Sequence, residues 1–117
     1  MISEKITPAE ICARNGEIVN FVCAMRGYIS PNFRHIAFSV RKNFYNVQFV
    51  LEKEDEADRE RISDIVTDYE AVHGPFMFSD DEFDYKVIVT SRELPELPDW
   101  GQPWSVLYCR YDEFPTV

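Results

Sequence analysis

The chain is poor in the residues from which common catalytic and ligand-binding motifs are built. It has four glycines, and none has the spacing of a phosphate-binding loop. Its two histidines, His35 and His73, are far apart in the sequence and belong to no metal-ligand pattern. The sequence therefore contains no recognisable catalytic motif. We expect a protein that is not an enzyme and that needs neither a metal nor a cofactor.

Cysteines and long apolar runs are also scarce. The three cysteines, Cys12, Cys23 and Cys109, are an odd number without close spacing, which argues against a disulfide framework and favours a reducing compartment. No apolar run approaches the roughly 20 residues that a membrane helix needs. The first residues lack the apolar segment of a signal peptide. We therefore expect a cytoplasmic protein that does not enter the membrane.

Apolar and aromatic residues are plentiful enough to form a core. They make up 45% and 15% of the 117 residues, respectively. A chain of this length and composition is typical of one domain with one core. We expect residues 1–117 to form a single acidic domain.

The pattern of apolar residues predicts two helices and four strands. The helices are expected from Thr7 to about Gly27 and from Asp55 to His73, and the strands at about 34–41, 44–52, 83–91 and 104–111. The segment Thr7-Pro8-Ala9-Glu10 has the form of a capping box. Apolar side chains at helical spacing predict the buried faces: Ile11, Ile18, Val22 and Met25 in the first helix, and Ile62, Ile65, Val66 and Tyr69 in the second.

One-sided strands and two amphipathic helices predict an α+β fold in the order α-β-β-α-β-β. We expect a two-layer sandwich in which both helices pack on a four-stranded, mainly antiparallel sheet. Strands one and two, and strands three and four, should each form an antiparallel hairpin. The order of the two hairpins in the sheet is left open by the sequence.

Negative charge is concentrated in one part of the chain. The net charge is −9, yet residues 52–84 alone hold 13 acidic and three basic side chains, a net charge of −10. Residues 1–51 are mildly basic, with three acidic and six basic side chains. Such a field repels nucleic acid and attracts a basic protein. We therefore expect a basic protein partner and no direct binding to nucleic acid.

Four acidic residues recur at every fourth position of the second predicted helix: Glu56, Glu60, Asp64 and Asp68. We call them the acidic stripe. Like charges at this spacing cost roughly 0.2–0.5 kcal/mol per pair. The two acids in the C-terminal half also oppose the helix dipole. An ordinary solvated helix face is one interpretation. The other, which we favour, is a surface that binds a cationic partner.

A second acidic cluster and a tryptophan complete the set of candidate binding residues. The cluster consists of Asp80, Asp81, Glu82 and Asp84. It lacks the glycine and glutamate positions of a calcium-binding loop, so we predict no metal there. Trp100 lies in a proline-rich loop and is a candidate apolar anchor, because aromatic residues are favoured in interfaces. The alternative is that it covers one end of the core.

In size, charge and layout, the chain resembles the immunity proteins of bacterial polymorphic toxin systems, including colicin and contact-dependent growth inhibition systems. The segments Gly27-Tyr28-Ile29-Ser30-Pro31-Asn32-Phe33-Arg34 and Glu52-Lys53-Glu54-Asp55-Glu56 are similar to segments of small bacterial immunity-like proteins. The resemblance implies a protein that binds and blocks a cognate nuclease toxin by mimicking the negative charge of its substrate. It assigns no individual residue to the binding site.

Three functions are compatible with these observations. The first is an immunity protein that neutralises a toxin, which the resemblance and the charge pattern favour. The second is an acidic adaptor or regulatory module that binds another basic protein. The third is a small enzyme or ligand-binding protein whose site has no familiar motif. The sequence leaves the oligomeric state open.

Overall fold

The computed structural model describes residues 8–41, 44–73, 82–97 and 104–113. Its elements in chain order are α1 (Pro8–Met25), β1 (Phe33–Arg41), β2 (Phe44–Leu51), α2 (Glu56–His73), β3 (Glu82–Val89) and β4 (Ser105–Cys109). The α+β class, with two helices and four strands, is as predicted. A short 3-10 helix at Tyr111–Glu113 follows β4 and was not predicted.

Residues at the helix ends determine where each helix begins and ends. Pro8 is the first residue of α1, where its missing N–H breaks no helical hydrogen bond. Gly27 follows the helix with a φ of +83°, a backbone conformation that glycine adopts without strain. At the start of α2, the Asp55 carboxylate accepts a hydrogen bond from the Asp58 backbone N–H at 3.1 Å and so caps the helix. Thr7, the predicted cap of α1, lies outside the described residues.

The sheet is mixed, with strand order β3-β2-β1-β4. Strand β1 pairs antiparallel with both β2 and β4, whereas β2 and β3 are parallel. The predicted mainly antiparallel sheet is therefore wrong, and so is the hairpin of β3 with β4, because these strands form opposite edges. The reason is the connection between β2 and β3. It contains the 18-residue helix α2, which is long enough to bring the chain back for a parallel pairing.

Both helices pack on one face of the sheet. The residues of α2 that we expected to be buried, Ile62, Ile65, Val66 and Tyr69, are buried, as are Val47 and Phe49 of β2. The Tyr69 ring lies 5.1 Å from Phe21 of α1 and 5.2 Å from Phe83 of β3, measured between ring centroids. The core therefore joins both helices to the sheet through aromatic contacts.

Some apolar side chains lie outside the core. Val22 of α1, which was expected to be buried, is 41% exposed, because the buried side of α1 is centred on Phe21, one position earlier. Cys23 on the same helix is exposed as well. Val89 is 37% exposed on β3, which is an edge strand of the described sheet.

A buried ion pair fixes the 3-10 helix to the sheet. Arg34 is 5% exposed and donates hydrogen bonds to both carboxylate oxygens of Glu113, including one of 2.9 Å from Nη2 to Oε1. Its Nη1 also donates to the carbonyl of Thr90 at 2.7 Å. These bonds join β1, the residue after β3 and the 3-10 helix. Burial of both charges makes the pair sensitive to loss of either partner.

Candidate protein-binding surface

The acidic stripe lies on the outer side of α2. All four of its side chains, Glu56, Glu60, Asp64 and Asp68, are exposed. Helical periodicity explains this placement, because the apolar residues of α2 occupy the opposite side and pack on the sheet. Among the described residues, none forms a side-chain hydrogen bond or an ion pair with the carboxylate of Glu56, Glu60 or Asp64. These three carboxylates are thus presented directly to solvent.

The two arginines nearest the stripe are committed to other acids. Arg59 donates to both carboxylate oxygens of Glu54, at 2.8 and 3.0 Å. That hydrogen bonding, with the arginine charge, holds the pKa of Glu54 below its usual value. Arg61 donates to Asp58 at 2.7 Å, three residues back along the helix. Neither arginine therefore forms an ion pair with the stripe.

Asp68 of the stripe contacts the turn that follows α1. The Tyr28 hydroxyl, in the turn after α1, donates a hydrogen bond of 3.0 Å to the Asp68 carboxylate. This bond is the main cause of a raised Tyr28 pKa, because loss of the phenolic proton would place two negative charges together. Sequence reasoning missed Tyr28, whose partner is 40 residues away.

The buried carboxylate of Asp58 fixes the orientation of α2. Asp58 is 2% exposed and accepts hydrogen bonds from Ser30 Oγ at 2.8 Å, Asn32 Nδ2 at 2.8 Å and Arg61 Nη1 at 2.7 Å. Burial is the largest single influence and raises its pKa. The three donors and the charge of Arg61 together outweigh burial, so the pKa of Asp58 is lower than usual. The first turn of α2 is thereby tied to the segment that precedes β1.

Glu82 and Asp84, the described residues of the second acidic cluster, lie apart from the stripe. Asp80 and Asp81 lie outside the described residues, while Glu82 and Asp84 are exposed on β3. Asp84 pairs in register with Asn46, one position from Val47 on β2, whose side chain faces the helices. Neighbouring residues of a strand point to opposite faces. Glu82 and Asp84 therefore lie on the face of the sheet opposite the helices.

Trp100 lies outside the described residues. Within residues 8–41, 44–73, 82–97 and 104–113, no group of three or more histidine, cysteine or carboxylate side chains could hold a metal ion. None of the described helices is long and apolar enough to span a membrane.

The structure is a small α+β domain in which the outer side of α2 is acidic. Comparison of the sequence with protein families identifies the family. Residues 16–111 match the model of the MafI2 immunity protein family, which covers most of the chain. The chain belongs to this family, and the resemblance to polymorphic toxin immunity proteins is confirmed. Toxin immunity is therefore the function of its family, and a toxin is the implied partner. No curated protein matches the chain in sequence.

Proposed function

We propose that this protein neutralises a cognate toxin by binding it in the cytoplasm, and that the acidic stripe contacts a cationic surface of that toxin. The observation that carries the proposal is the lack of counter-charge. Glu56, Glu60 and Asp64 are exposed and unpaired among the described residues, although Arg59 and Arg61 are on the same helix. A cationic partner would relieve the mutual repulsion of these carboxylates, which no described cationic side chain offsets by an ion pair.

The charge of the stripe also indicates the class of toxin. A nuclease presents lysine and arginine side chains to the phosphates of its substrate. Four carboxylates on one rigid helix provide a complementary negative surface, and complementary potentials raise the rate of association. We therefore propose a nuclease toxin, neutralised by binding and not by chemical modification. Glu82 and Asp84 face a different side, so we assign them a secondary role at most in this interface.

The test compares two charge-neutralised variants in cells that express the cognate toxin, identified by pull-down of this protein's partner from its native host. The first variant replaces the stripe: Glu56→Gln, Glu60→Gln, Asp64→Asn and Asp68→Asn. The control, Glu93→Gln with Glu96→Gln, removes exposed acids that lie outside the stripe. We expect the wild type and the control to protect the cells. The stripe variant should protect only at much higher expression, while its thermal unfolding midpoint stays at or above that of the wild type.

Two results would contradict the proposal. Equal protection by the stripe variant at equal expression would show that the stripe is only a solvated helix face. A toxin domain that degrades neither DNA nor RNA in vitro, although the wild type protects against it, would contradict the nuclease assignment and leave toxin binding intact.

A further inference from the structure

The outer sides of the two helices differ in chemistry although both helices lie in the same layer. On α2 the outer side carries the acidic stripe. On α1 the outward residues include Gly16, Val19 and Cys23, all exposed, and Val22 lies on the adjoining flank. Val19 is 59% exposed and Val22 is 41% exposed. We call these four residues the α1 patch. A helix with one side on a core normally has polar residues on the other. Here the polar residues Asn15 and Arg26 are exposed at the two ends of the patch, and two valines are exposed between them.

The helices that carry the α1 patch and the acidic stripe lie next to each other. They are in contact, and the Tyr69 hydroxyl of α2 donates a hydrogen bond to the Glu17 carboxylate of α1. At the neighbouring position of α2, Asp68 of the stripe accepts a hydrogen bond from Tyr28 in the turn after α1. A partner that covers the stripe and extends across the helical layer therefore meets the α1 patch next.

We propose that the α1 patch is the apolar part of the toxin interface and that the acidic stripe is its charged border. This inference rests on the proposed function. Interfaces commonly combine an apolar centre with a polar rim, and the apolar centre dominates the strength of binding. The toxin is thus expected to present an apolar surface beside its cationic one.

The charge of the surface favours the toxin over a second copy of this chain as the molecule that covers the α1 patch. A second copy would bring a net charge of −9 and an acidic stripe of its own to a patch that already borders such a stripe. Juxtaposed like charges oppose association, whereas a cationic partner gains from the same arrangement. The surface therefore fits a cationic toxin better than self-association.

The two parts of the surface should have different kinetic effects. Long-range charge acts mainly on the association rate, and loss of packed apolar contacts acts mainly on the dissociation rate. The test measures both rates for the purified full chain and the same toxin, at two salt concentrations. For Val19→Ser with Val22→Ser, we expect about tenfold faster dissociation and an association rate within about twofold of the wild type. The control is Val106→Ser, which alters a valine that is 54% exposed on β4.

A second measurement needs no substitution. Cys23 is exposed and Cys109 is half-buried on β4, so labelling by a maleimide can be quantified at each by mass spectrometry. In the toxin complex we expect labelling at Cys23 to slow at least tenfold relative to the free protein, with Cys109 as the internal reference. Protection at Cys23 would report burial of the α1 patch even if the double variant folded poorly.

The outcomes separate the inference from the proposed function. If the stripe variant slows association but the valine variant leaves dissociation unchanged and Cys23 stays reactive in the complex, the inference is wrong and the proposed function stands. If the wild type does not bind the toxin domain, both are wrong. Concentration-dependent protection of Cys23 without toxin would show that a second copy covers the patch, which also overturns the inference.

Discussion

Replacing Asp58 with alanine should strongly destabilise the protein, because it removes the acceptor that ties α2 to the segment before β1. Three donors, from Ser30, Asn32 and Arg61, lie within 2.8 Å of a carboxylate that is 2% exposed. A hydrogen bond to a charged group contributes about 1.5–3 kcal/mol. The donors border an open depression and can regain water after the substitution, so the three contributions do not add in full. We expect a loss of about 2–4 kcal/mol in the free energy of unfolding.

Urea unfolding followed by circular dichroism measures this loss. With a slope of about 2 kcal/mol per molar urea, the midpoint should fall by about 1–2 M. The matched control is Asp64→Ala, an exposed acid on the same helix, which should leave the midpoint unchanged or raise it slightly by relieving repulsion. A midpoint for Asp58→Ala within about 0.3 M of the wild type would refute the anchoring role of this carboxylate.

The same substitution has a predictable dependence on pH. The pKa of Asp58 is lower in the folded protein than its usual value of about 3.9, so the ionised form is the one that stabilises the fold. Its contribution is fully present at neutral pH and disappears as the pH falls below the usual value and through the folded pKa. The difference in stability between the wild type and Asp58→Ala should therefore shrink below about pH 4. An unchanged difference at pH 3 would contradict this reasoning.

Three further predictions concern stability and use the same unfolding assay. Gly27→Ala should lower the free energy of unfolding by about 1 kcal/mol, because φ is +83° at this position. Gly16→Ala, inside α1 and with open space around its Cα, should raise the free energy of unfolding by about 0.5–1 kcal/mol. A stabilising Gly27→Ala together with a destabilising Gly16→Ala would contradict the backbone argument. Glu113→Ala should lower the free energy of unfolding by about 3 kcal/mol, because it leaves the buried Arg34 without its carboxylate partner. A decrease of less than about 1 kcal/mol would show that the ion pair is dispensable. A chelator should leave the unfolding midpoint unchanged, and a lowered midpoint would reveal a structural metal.

Local periodicity predicted α2 well, and it predicted α1 less well. In α2, apolar and acidic residues alternate at helical spacing, so only one side can face a core, and Ile62, Ile65 and Tyr69 are buried there. In α1 the apolar residues surround the helix, so their spacing does not define a single buried side. The expected side included Val22, whereas the structure buries Phe21.

The sheet topology depends on contacts between distant residues, which periodicity does not report. Strands β3 and β4 are neighbours in sequence but form opposite edges of the sheet. The signal that favoured the parallel pairing was the helix between β2 and β3, since a connection of that length permits a crossover. A hairpin prediction based on order along the chain gave too little weight to this connection.

The candidate surface was only partly predictable for the same reason. Exposure of Glu56, Glu60, Asp64 and Asp68 follows from the helical period. The partners of Arg59 and Arg61 do not, because each arginine has several acids within reach and packing decides among them. The placement of Glu82 and Asp84 on the other face required both the strand alternation and the sheet topology.

The most direct test of the central claim is the salt dependence of toxin association. The association rate of the wild type with the cognate toxin should fall about tenfold or more between 50 and 500 mM salt, because salt screens the electrostatic attraction that speeds association. The stripe variant, with a net charge of −5 in place of −9, should associate more slowly at low salt and show a much shallower dependence. Equal rates and equal salt dependence for the two proteins would contradict the claim that the acidic stripe binds the toxin.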